Sequence, residues 1–503
     1  MLLDYSSSLH YLLALLPEAV LAAFAMWVLL AGVSRRRSGG LGKETGWLAL
    51  AGLLVAGVAN GWLYSGVAEG GTAAMIAVDR LRLFANWVFI LGAGFAIVVA
   101  LPYVARQKLQ AGEYYSLVLF ATVGMMVMAA SRDLMLIFLG LELMSIAVYA
   151  LAGYNRRDRR SAEAGLKYFL LGAFASAFLL FGIALLYGAA GSTNLHAISE
   201  ALSAGAAVES LLGPGLALLT IGLAFKVSAV PFHMWTPDVY EGAPTPATAF
   251  MAAAVKAGAF VVLLRIFATG LGTLHAEWSG ILWWVSALTM VFGNLVALVQ
   301  SSVKRMLAYS SIAHGGYLLV AIVAANETAA AGLLFYLLVY TVMTIAAFAV
   351  VVTVANQGEG GNRMEDYQGL GTRRPVLSIC MTVVLLALAG FPGTAGFIAK
   401  YHLLLGAAEA SLWTLAVILA LTTVVSYWYY LRVAWYMWMR DPPAEGRPTD
   451  YVITPFGTRV ALVVSVALLV LAGIFPGAAL EMAENSIRGI MYLAAPQAGA
   501  AGP

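Results

Sequence analysis

Four ionisable residues lie deep inside long apolar runs of this 503-residue sequence. They are one carboxylic acid, Glu142, and three lysines, Lys226, Lys256 and Lys400. Even on a lenient insertion scale, a charged side chain near the centre of a bilayer costs about 2.5–3.5 kcal/mol. Side chains this costly to bury predict a function for the charge itself.

The chemistry that these groups predict is proton relay. Burial disfavours the charged form of an amine, and a nearby carboxylate restores it, so closing and opening a Glu142–Lys226 pair would make the lysine hold or release a proton. His233 could extend the relay, because imidazole titrates close to neutral pH. The alternative is that each charge is statically paired and only fixes helix packing. The rarity of central lysines favours the relay.

Other polar residues have more ordinary interpretations. Lys167 follows Glu163 by four residues and is expected to form a helical ion pair, while remaining a secondary relay candidate. His314 is expected either to line a polar interior path, which we favour, or to bond a neighbouring helix. Arg265 and Arg432 are close enough to predicted helix ends to extend their guanidinium groups to the membrane surface.

The composition determines which elements position these residues. Hydrophobic residues make up 62% of the chain, charged residues 11%, and the mean hydropathy is +0.88. Apolar runs long enough to cross a bilayer recur about fourteen times. They lack the two-residue alternation of a membrane barrel, so the predicted fold is an all-α polytopic membrane protein. The first span, near 11–31, has no preceding basic residue and is expected to remain in the mature protein.

Prolines interrupt two of the predicted spans, at 225–237 and at 389–400. Proline removes a backbone donor and clashes with the preceding turn, so each span should break or kink there. Broken helices in corresponding halves indicate an inverted-repeat transporter, although a kink that only shapes packing remains the alternative. A lysine next to both interruptions favours a functional break.

Lysine and arginine concentrate in alternate connections, at 35–43, 106–108, 156–160, 304–305, 363–374 and 440–447. The connections at 190–210, 268–280 and 325–330 contain neither residue. By the positive-inside rule the basic connections are cytoplasmic, which places both termini on the periplasmic or outer side.

No motif for a cofactor, metal or nucleic acid is found. Cys380 is the sole cysteine, so it can neither form a disulfide within the chain nor ligate an iron–sulfur cluster by itself. Gly40 and Gly42 lack the third glycine of a dinucleotide fingerprint, and Lys43 precedes Glu44 rather than the serine or threonine of a P-loop. Any redox chemistry would therefore take place in other subunits.

Four segments, 140–143, 225–235, 238–246 and 302–314, resemble the antiporter-like subunits of proton-pumping NADH:quinone oxidoreductase, respiratory complex I. The resemblance covers most of the chain. It implies fourteen helices in two inverted five-helix repeats, each with one broken helix. The expected division is an N-terminal three-helix segment at 1–110, repeats at 111–270 and 271–440, and a C-terminal helix and tail at 441–503.

The resemblance also implies roles for individual residues. Glu142 corresponds to the glutamate of the fifth helix, and Lys226 to the lysine of the broken seventh helix. Lys256 corresponds to the lysine of the eighth helix, and Lys400 to that of the broken twelfth. Lys167 corresponds to a lysine of the sixth helix.

Within this family the chain is most similar to the subunit N group. Position 400 is a lysine, whereas the middle-sized subunit of the family usually has a glutamate there. The largest subunit carries a long lateral helix after its last core span, and here little sequence follows the last clear span, near Phe475. The resemblance implies a bacterial inner-membrane complex with subunits K and M as neighbours. NADH, FMN, iron–sulfur clusters and quinone would be bound by partner subunits.

Three alternatives remain at this point. One is a subunit of a multisubunit cation/proton antiporter or membrane-bound hydrogenase, which shares these motifs. Another is a free-standing solute carrier, although no substrate pocket is marked. The third is a structural scaffold, which the central charges disfavour.

Overall fold

The computed structural model describes residues 8–36, 43–66, 75–355, 361–442 and 454–491. Within these ranges the chain is helical, and its extended pairing is limited to three isolated antiparallel bridges. The predicted all-α class is confirmed.

The described α-helices follow one another along the chain as α1 (Ser8–Ala14), α2 (Leu16–Arg36), α3 (Lys43–Gly66), α4 (Arg80–Arg106), α5 (Ala111–Ala130), α6 (Leu134–Ala152), α7 (Arg159–Ala190), α8 (Leu195–Ser203), α9 (Glu209–Lys226), α10 (Trp235–Gly242), α11 (Thr245–Phe250), α12 (Lys256–Arg265), α13 (His275–Leu298), α14 (Val303–Ala324), α15 (Glu327–Val354), α16 (Leu370–Arg373), α17 (Pro375–Ala389), α18 (Ala395–Glu409), α19 (Trp413–Met439), α20 (Phe456–Ile474) and α21 (Gly477–Met491). Two π-helical turns, Met251–Val255 and Ile266–Gly270, flank α12. Short 3-10 turns lie at Gly272–Leu274 and Met364–Tyr367.

Among the described residues, 13 helical segments are long and apolar enough to cross a membrane. The 15-residue α17 is too short for this criterion because it stops at the second predicted break. Joined across that break to α18, it supplies the fourteenth span, which agrees with the count expected from the sequence.

The spans that carry Lys256 and His314 lie in the middle of the protein, whereas those that carry Glu142 and Lys226 are only about half buried. The spans at Thr245–Gly270, Val303–Ala324 and Glu327–Val354 are almost wholly buried, whereas Leu16–Ser34 and Phe456–Ile474 are mostly exposed. The outer helices expose large apolar side chains, as expected for surfaces in contact with lipid or with other membrane subunits. The centre therefore consists of protein packed on all sides.

Polar caps fix where several of these helices begin. The Asp133 carboxylate accepts from the backbone amides of Met135 and Leu136 at the start of α6. Ser302 accepts from the Arg305 amide at the start of α14. These caps satisfy amides that lack an intrahelical partner, and they set the register of the relay residues further along.

The first predicted break lies between Lys226, where α9 ends, and Trp235, where α10 begins. The Trp235 indole donates to the Phe225 carbonyl at 3.2 Å, and the Val230 amide donates to the Thr289 hydroxyl at 2.9 Å. Protein groups thus satisfy backbone atoms that the interruption frees, as membrane-depth irregularity requires.

The second predicted break lies between α17 and α18. Gly390 follows the last residue of α17 and has a φ of +83°, a conformation that glycine adopts without strain. Its carbonyl accepts from the Tyr427 hydroxyl at 3.1 Å, and the carbonyl of Ala389 accepts from Lys400 Nζ at 3.0 Å. One candidate relay lysine is therefore also a structural partner of the break.

The interpretation of Arg265 from the sequence is wrong. Its side chain is only 2% exposed and binds Asp79 through both terminal nitrogens, at 2.7 and 2.8 Å. Asp79 lies just before α4 and is 186 residues away from Arg265 in sequence. The position of Arg265 near a helix end therefore could not predict this ion pair. Arg432 instead contacts the Leu298 and Gln300 carbonyls near the end of α13, at 3.2 and 3.3 Å.

Candidate proton-relay site

Glu142 and Lys226, the first two candidate relay groups, each bond hydroxyl groups rather than each other. Ser176 Oγ donates to Glu142 Oε1 at 2.5 Å. Lys226 Nζ donates to Ser145 Oγ at 2.9 Å and to the Tyr149 hydroxyl at 3.1 Å. Positions 142, 145 and 149 are spaced to share one face of α6. Glu142 is close enough to act on Lys226 electrostatically, but among the described residues the two form no direct ion pair.

Glu142 and Lys226 differ in their exposure. Lys226 is buried, with 7% of its surface accessible. Glu142 is half-buried on a face of α6 that also exposes Leu139 and Ile146. The carboxylate can therefore be approached from outside this chain, whereas the lysine cannot.

Lys256 lies at the start of α12, directly after the π-helical turn Met251–Val255. Such turns are rare and occur often at functional sites. Lys256 Nζ donates to Ser311 of α14, to Oγ at 2.5 Å and to the carbonyl at 2.6 Å. A methyl group at Gly315 would lie 3.9 Å from this amine and 3.0 Å from the Val227 carbonyl. Lys256 is thus next to the first helix break.

His314 is buried on α14 and lies close enough to Lys256 and Lys400 to interact electrostatically with both. Its Nδ1 is 2.7 Å from the Tyr336 hydroxyl, and its Nε2 is 3.1 Å from the Tyr430 hydroxyl. The histidine therefore bonds neighbouring helices and also lies in the polar interior. The predicted bond to a neighbouring helix is present, whereas a polar path through this histidine stays a prediction.

Lys400 packs against aromatic and backbone groups. Besides its bond to Ala389, its Nζ lies 4.8 Å from the centroid of the Tyr317 ring, within the range of a cation–π contact. The Tyr317 hydroxyl accepts from Asn294 at 2.9 Å, and Asn294 accepts from Tyr429 at 3.0 Å. A hydrogen-bonded set of side chains from α13, α14 and α19 therefore stands next to the amine.

Lys167 lies apart from the buried groups, in a charged cluster near the start of α7. Its side chain is 42% exposed and pairs with Glu163 at 2.8 Å, as the four-residue spacing predicts. It also binds Asp238 of α10 at 3.1 Å, and Asp238 binds Arg305 of α14 at the same distance. An open cavity of about 300 Å³ adjoins the Lys167 side of this cluster.

His233 lies in the first break but does not join the other candidates. It is half-buried, and its ring packs edge-to-face on Phe292 with centroids 4.7 Å apart. Its Nδ1 atom is buried without a hydrogen-bond partner among the described groups. A position beside a broken helix therefore did not predict the direction of this side chain.

Sequence reasoning missed the neutral partners of the charges. Ser145 and Tyr149 could have been found, because they fall three and seven residues after Glu142 on a predicted helix. Ser311 and Tyr430 could not, because they reach Lys256 and His314 from helices far away in sequence. The Tyr430 hydroxyl also bonds Ser310, so it links α19 to α14 at two residues.

Comparisons with known proteins agree with this architecture. Residues 131–426 match the family described as NADH:quinone oxidoreductase/Mrp antiporter, TM. NADH-quinone oxidoreductase subunit N of Trichlorobacter lovleyi is 45% identical over 479 residues, covering 94% of this chain and 96% of the relative.

Solved structures show the same arrangement of helices. A chain of respiratory complex I from Thermus thermophilus with bound aureothin is 36% identical, with a TM-score of 0.79 over 93% of this chain and 99% of that one. A chain of the Mrp complex from Dietzia has a TM-score of 0.80 over 95% and 98% of the two chains, but at 20% identity it shows a shared fold only. On this evidence the chain belongs to the membrane-subunit family of NADH:quinone oxidoreductases and Mrp antiporters, within the subunit N group of NADH-quinone oxidoreductase.

Proposed function

We propose that this chain carries one proton pathway of a proton-translocating NADH-quinone oxidoreductase, with Glu142, Lys226, Lys256 and Lys400 as its relay groups. His314 lies close to the last two and is proposed to pass protons between them. Lys167 and His233 are secondary members, since neither contacts the buried groups directly. NADH oxidation and quinone reduction, with FMN and iron–sulfur clusters, belong to partner subunits.

One observation supports the relay over static pairing. In the described part of the chain, none of the three lysines proposed for the relay has a carboxylate within salt-bridge distance. Lys226 and Lys256 instead contact hydroxyl groups, which can accept from an ammonium or donate to a neutral amine. These surroundings can serve both protonation states, whereas a fixed ion pair would hold the proton in place.

Glu142 supplies the adjustable charge. Among the described residues Glu142 and Lys226 form no ion pair, so a movement of α6 against α9 would change their electrostatic coupling. At the low effective dielectric of a buried site, such a change alters the proton affinity of the amine more than it would in water. Coupling between neighbouring subunits fits the accessible position of this carboxylate.

The surroundings of the protein are part of the proposal. The proposed location is a bacterial plasma membrane. The alternation of basic connections supports an orientation with those connections in the cytoplasm and both termini outside. Subunits K and M are the proposed neighbours. Higher identity to the complex I chain than to the Mrp chain, 36% against 20%, favours the oxidoreductase over the antiporter.

The deciding experiment measures NADH-driven proton pumping and quinone reduction in membrane vesicles that carry Lys226→Ala. Lys43→Ala, at an exposed lysine, serves as the matched control, and native gels monitor assembly. We expect both activities of the Lys226 variant to fall about tenfold or more, equivalent to about 1.4 kcal/mol or more. NADH oxidation by an artificial acceptor should stay unchanged. Normal pumping by an assembled Lys226→Ala complex would refute the relay.

A further inference from the structure

A groove runs along the outer surface of the protein between α2, α5, α6 and α7. Its volume is about 620 Å³. Much of its wall is apolar and comes from Leu29, Leu117, Phe120 and Leu166. The groove is open to the surroundings of the chain, so a ligand could enter it without any movement of the helices.

A second, basic cavity adjoins one end of this groove. It has a volume of about 300 Å³ and is lined by Lys108, Arg156 and Arg157. The two cavities share Glu113 and Tyr154 as well as Arg156. Three cations thus face one carboxylate, and among the described residues the three cations have no ion-pair partner.

The position of the basic end agrees with the depth of lipid headgroups. Helix α4 ends at Arg106, α5 begins at Ala111, α6 ends at Ala152 and α7 begins at Arg159. The basic cavity therefore lies where four transmembrane helices reach the membrane surface. The apolar groove extends from that surface along the helices, at the depth of acyl chains.

We propose that this groove binds an anionic phospholipid. The phosphate lies against Arg156, Arg157 and Lys108, and one acyl chain lies along Leu117 and Leu166. Arginine and lysine are the usual partners of phosphate, and basic pockets between membrane helices suit anionic headgroups. Burial of the acyl chain against the apolar walls of the groove gives the lipid an affinity that a free phosphate ion would not have.

The bound acyl chain would also cover the outer side of a side chain that contacts the relay. Tyr149, which accepts a hydrogen bond from Lys226, forms part of the groove wall. An acyl chain there keeps water away from the outer side of Tyr149. Lipid binding itself rests only on the groove and its cations, so it can be tested separately from pumping.

The test uses the purified, assembled complex and phosphatidylglycerol with a photoreactive acyl chain. Phosphatidylcholine with the same chain tests the charge requirement, and labelled peptides are mapped by mass spectrometry. We expect phosphatidylglycerol to label Leu117, Phe120 or Leu166 severalfold more than phosphatidylcholine does. Arg156→Gln combined with Arg157→Gln should remove this preference.

Two further variants separate binding from folding. Arg159→Gln neutralises an exposed arginine that lines neither cavity, and it should leave labelling unchanged. Ala150→Trp, at an exposed alanine of the groove wall, should fill the groove and abolish labelling while both arginines remain. If the double arginine variant fails to assemble, the comparison of the two lipids and Ala150→Trp still decide the question.

Two results would overturn the proposal. Equal labelling by both lipids would mean that the groove holds bulk lipid without recognising a headgroup. Crosslinks from the groove to another subunit, with no lipid label, would identify the groove as a contact between subunits.

Discussion

The amine of Lys400 lies 3.0 Å from the carbonyl oxygen of Ala389, the last residue of α17 before the second break. The lysine therefore has two separable roles, the proposed transfer of a proton and a hydrogen bond that completes the break. A carbonyl left buried without a donor costs about 1–3 kcal/mol, so removal of the amine should affect stability as well as pumping.

Substitutions at Lys400 separate these properties. Lys400→Met removes both, and we expect lower thermal stability of the complex together with reduced pumping. Lys400→Gln keeps a donor near the carbonyl but cannot transfer a proton, so stability should recover while pumping stays low. The measurements are the Tm of the purified complex and NADH-driven proton uptake by vesicles. Normal pumping by Lys400→Gln would exclude proton transfer at this position.

A methyl group at Gly315 should disturb the packing of α14 against the first break and Lys256. The added carbon would lie 3.0 Å from the Val227 carbonyl, closer than most packed side chains approach. We expect Gly315→Ala to lower pumping severalfold in an assembled complex. Gly280→Ala is the matched control, because its methyl group would have no neighbour within 4 Å and should leave the activity unchanged. Equal activity of the two variants would contradict the close packing of α14 on the break.

The pair of Asp79 and Arg265 predicts a charge-dependent loss of stability. Burial raises the pKa of Asp79, but the Arg265 guanidinium outweighs this effect, so that the pKa lies below its usual value of 3.8. Asp79→Asn keeps a helix-capping side chain and leaves a buried guanidinium unpaired. The expected loss is about 3–5 kcal/mol.

The sign of the pH dependence follows from the lowered pKa. The ionised Asp79 contributes its stability above pH 3.8 and loses it as the pH falls through the still lower pKa of the folded state. Unfolding of the purified complex should therefore show a deficit for Asp79→Asn that stays constant between about pH 5 and 8. A deficit that disappears within this range would contradict the assignment.

Lys167 should matter less than the buried lysines. Its side chain is 42% exposed and shared between Glu163 and Asp238, and pairs of this kind contribute about 0–1 kcal/mol to stability. We expect Lys167→Ala to assemble normally and to keep most of its pumping, with a smaller salt dependence than the unmodified complex, because salt screens the exposed ion pairs that this variant lacks. Pumping rates over a series of salt concentrations test this. A loss as large as that of Lys226→Ala would place Lys167 on the main path.

Much of the architecture could be predicted because lipid imposes simple rules on sequence. Apolar length identified the spans, and Pro231 and Pro392 identified both broken helices. The lysines stood out because each is an isolated charge in an apolar run. These are local features, and each can be recognised within a few turns of helix.

The missing parts depend on contacts between distant segments. Ser311 supports Lys256 from 55 residues away, and Asp79 binds Arg265 from 186 residues away. His233 has the right chemistry, but its orientation depends on packing against Phe292. No local pattern encodes which face of one helix meets which face of another.

The π-helical turns on both sides of α12 change which direction each side chain of that span points. Each such turn holds one residue more than an α-helical turn, which shifts the direction of the following side chains by about 100°. A helical wheel that starts at Thr245 and assumes a regular α-helix would therefore predict that Lys256 points away from Ser311. Because a π-helical turn precedes α12 and another follows it, α12 has a different angular position about the helix axis than an uninterrupted helix would give it. Helix α11 packs against α4 and α15. The angular position of Lys256 is thus set separately from the packing of the helix that leads to it.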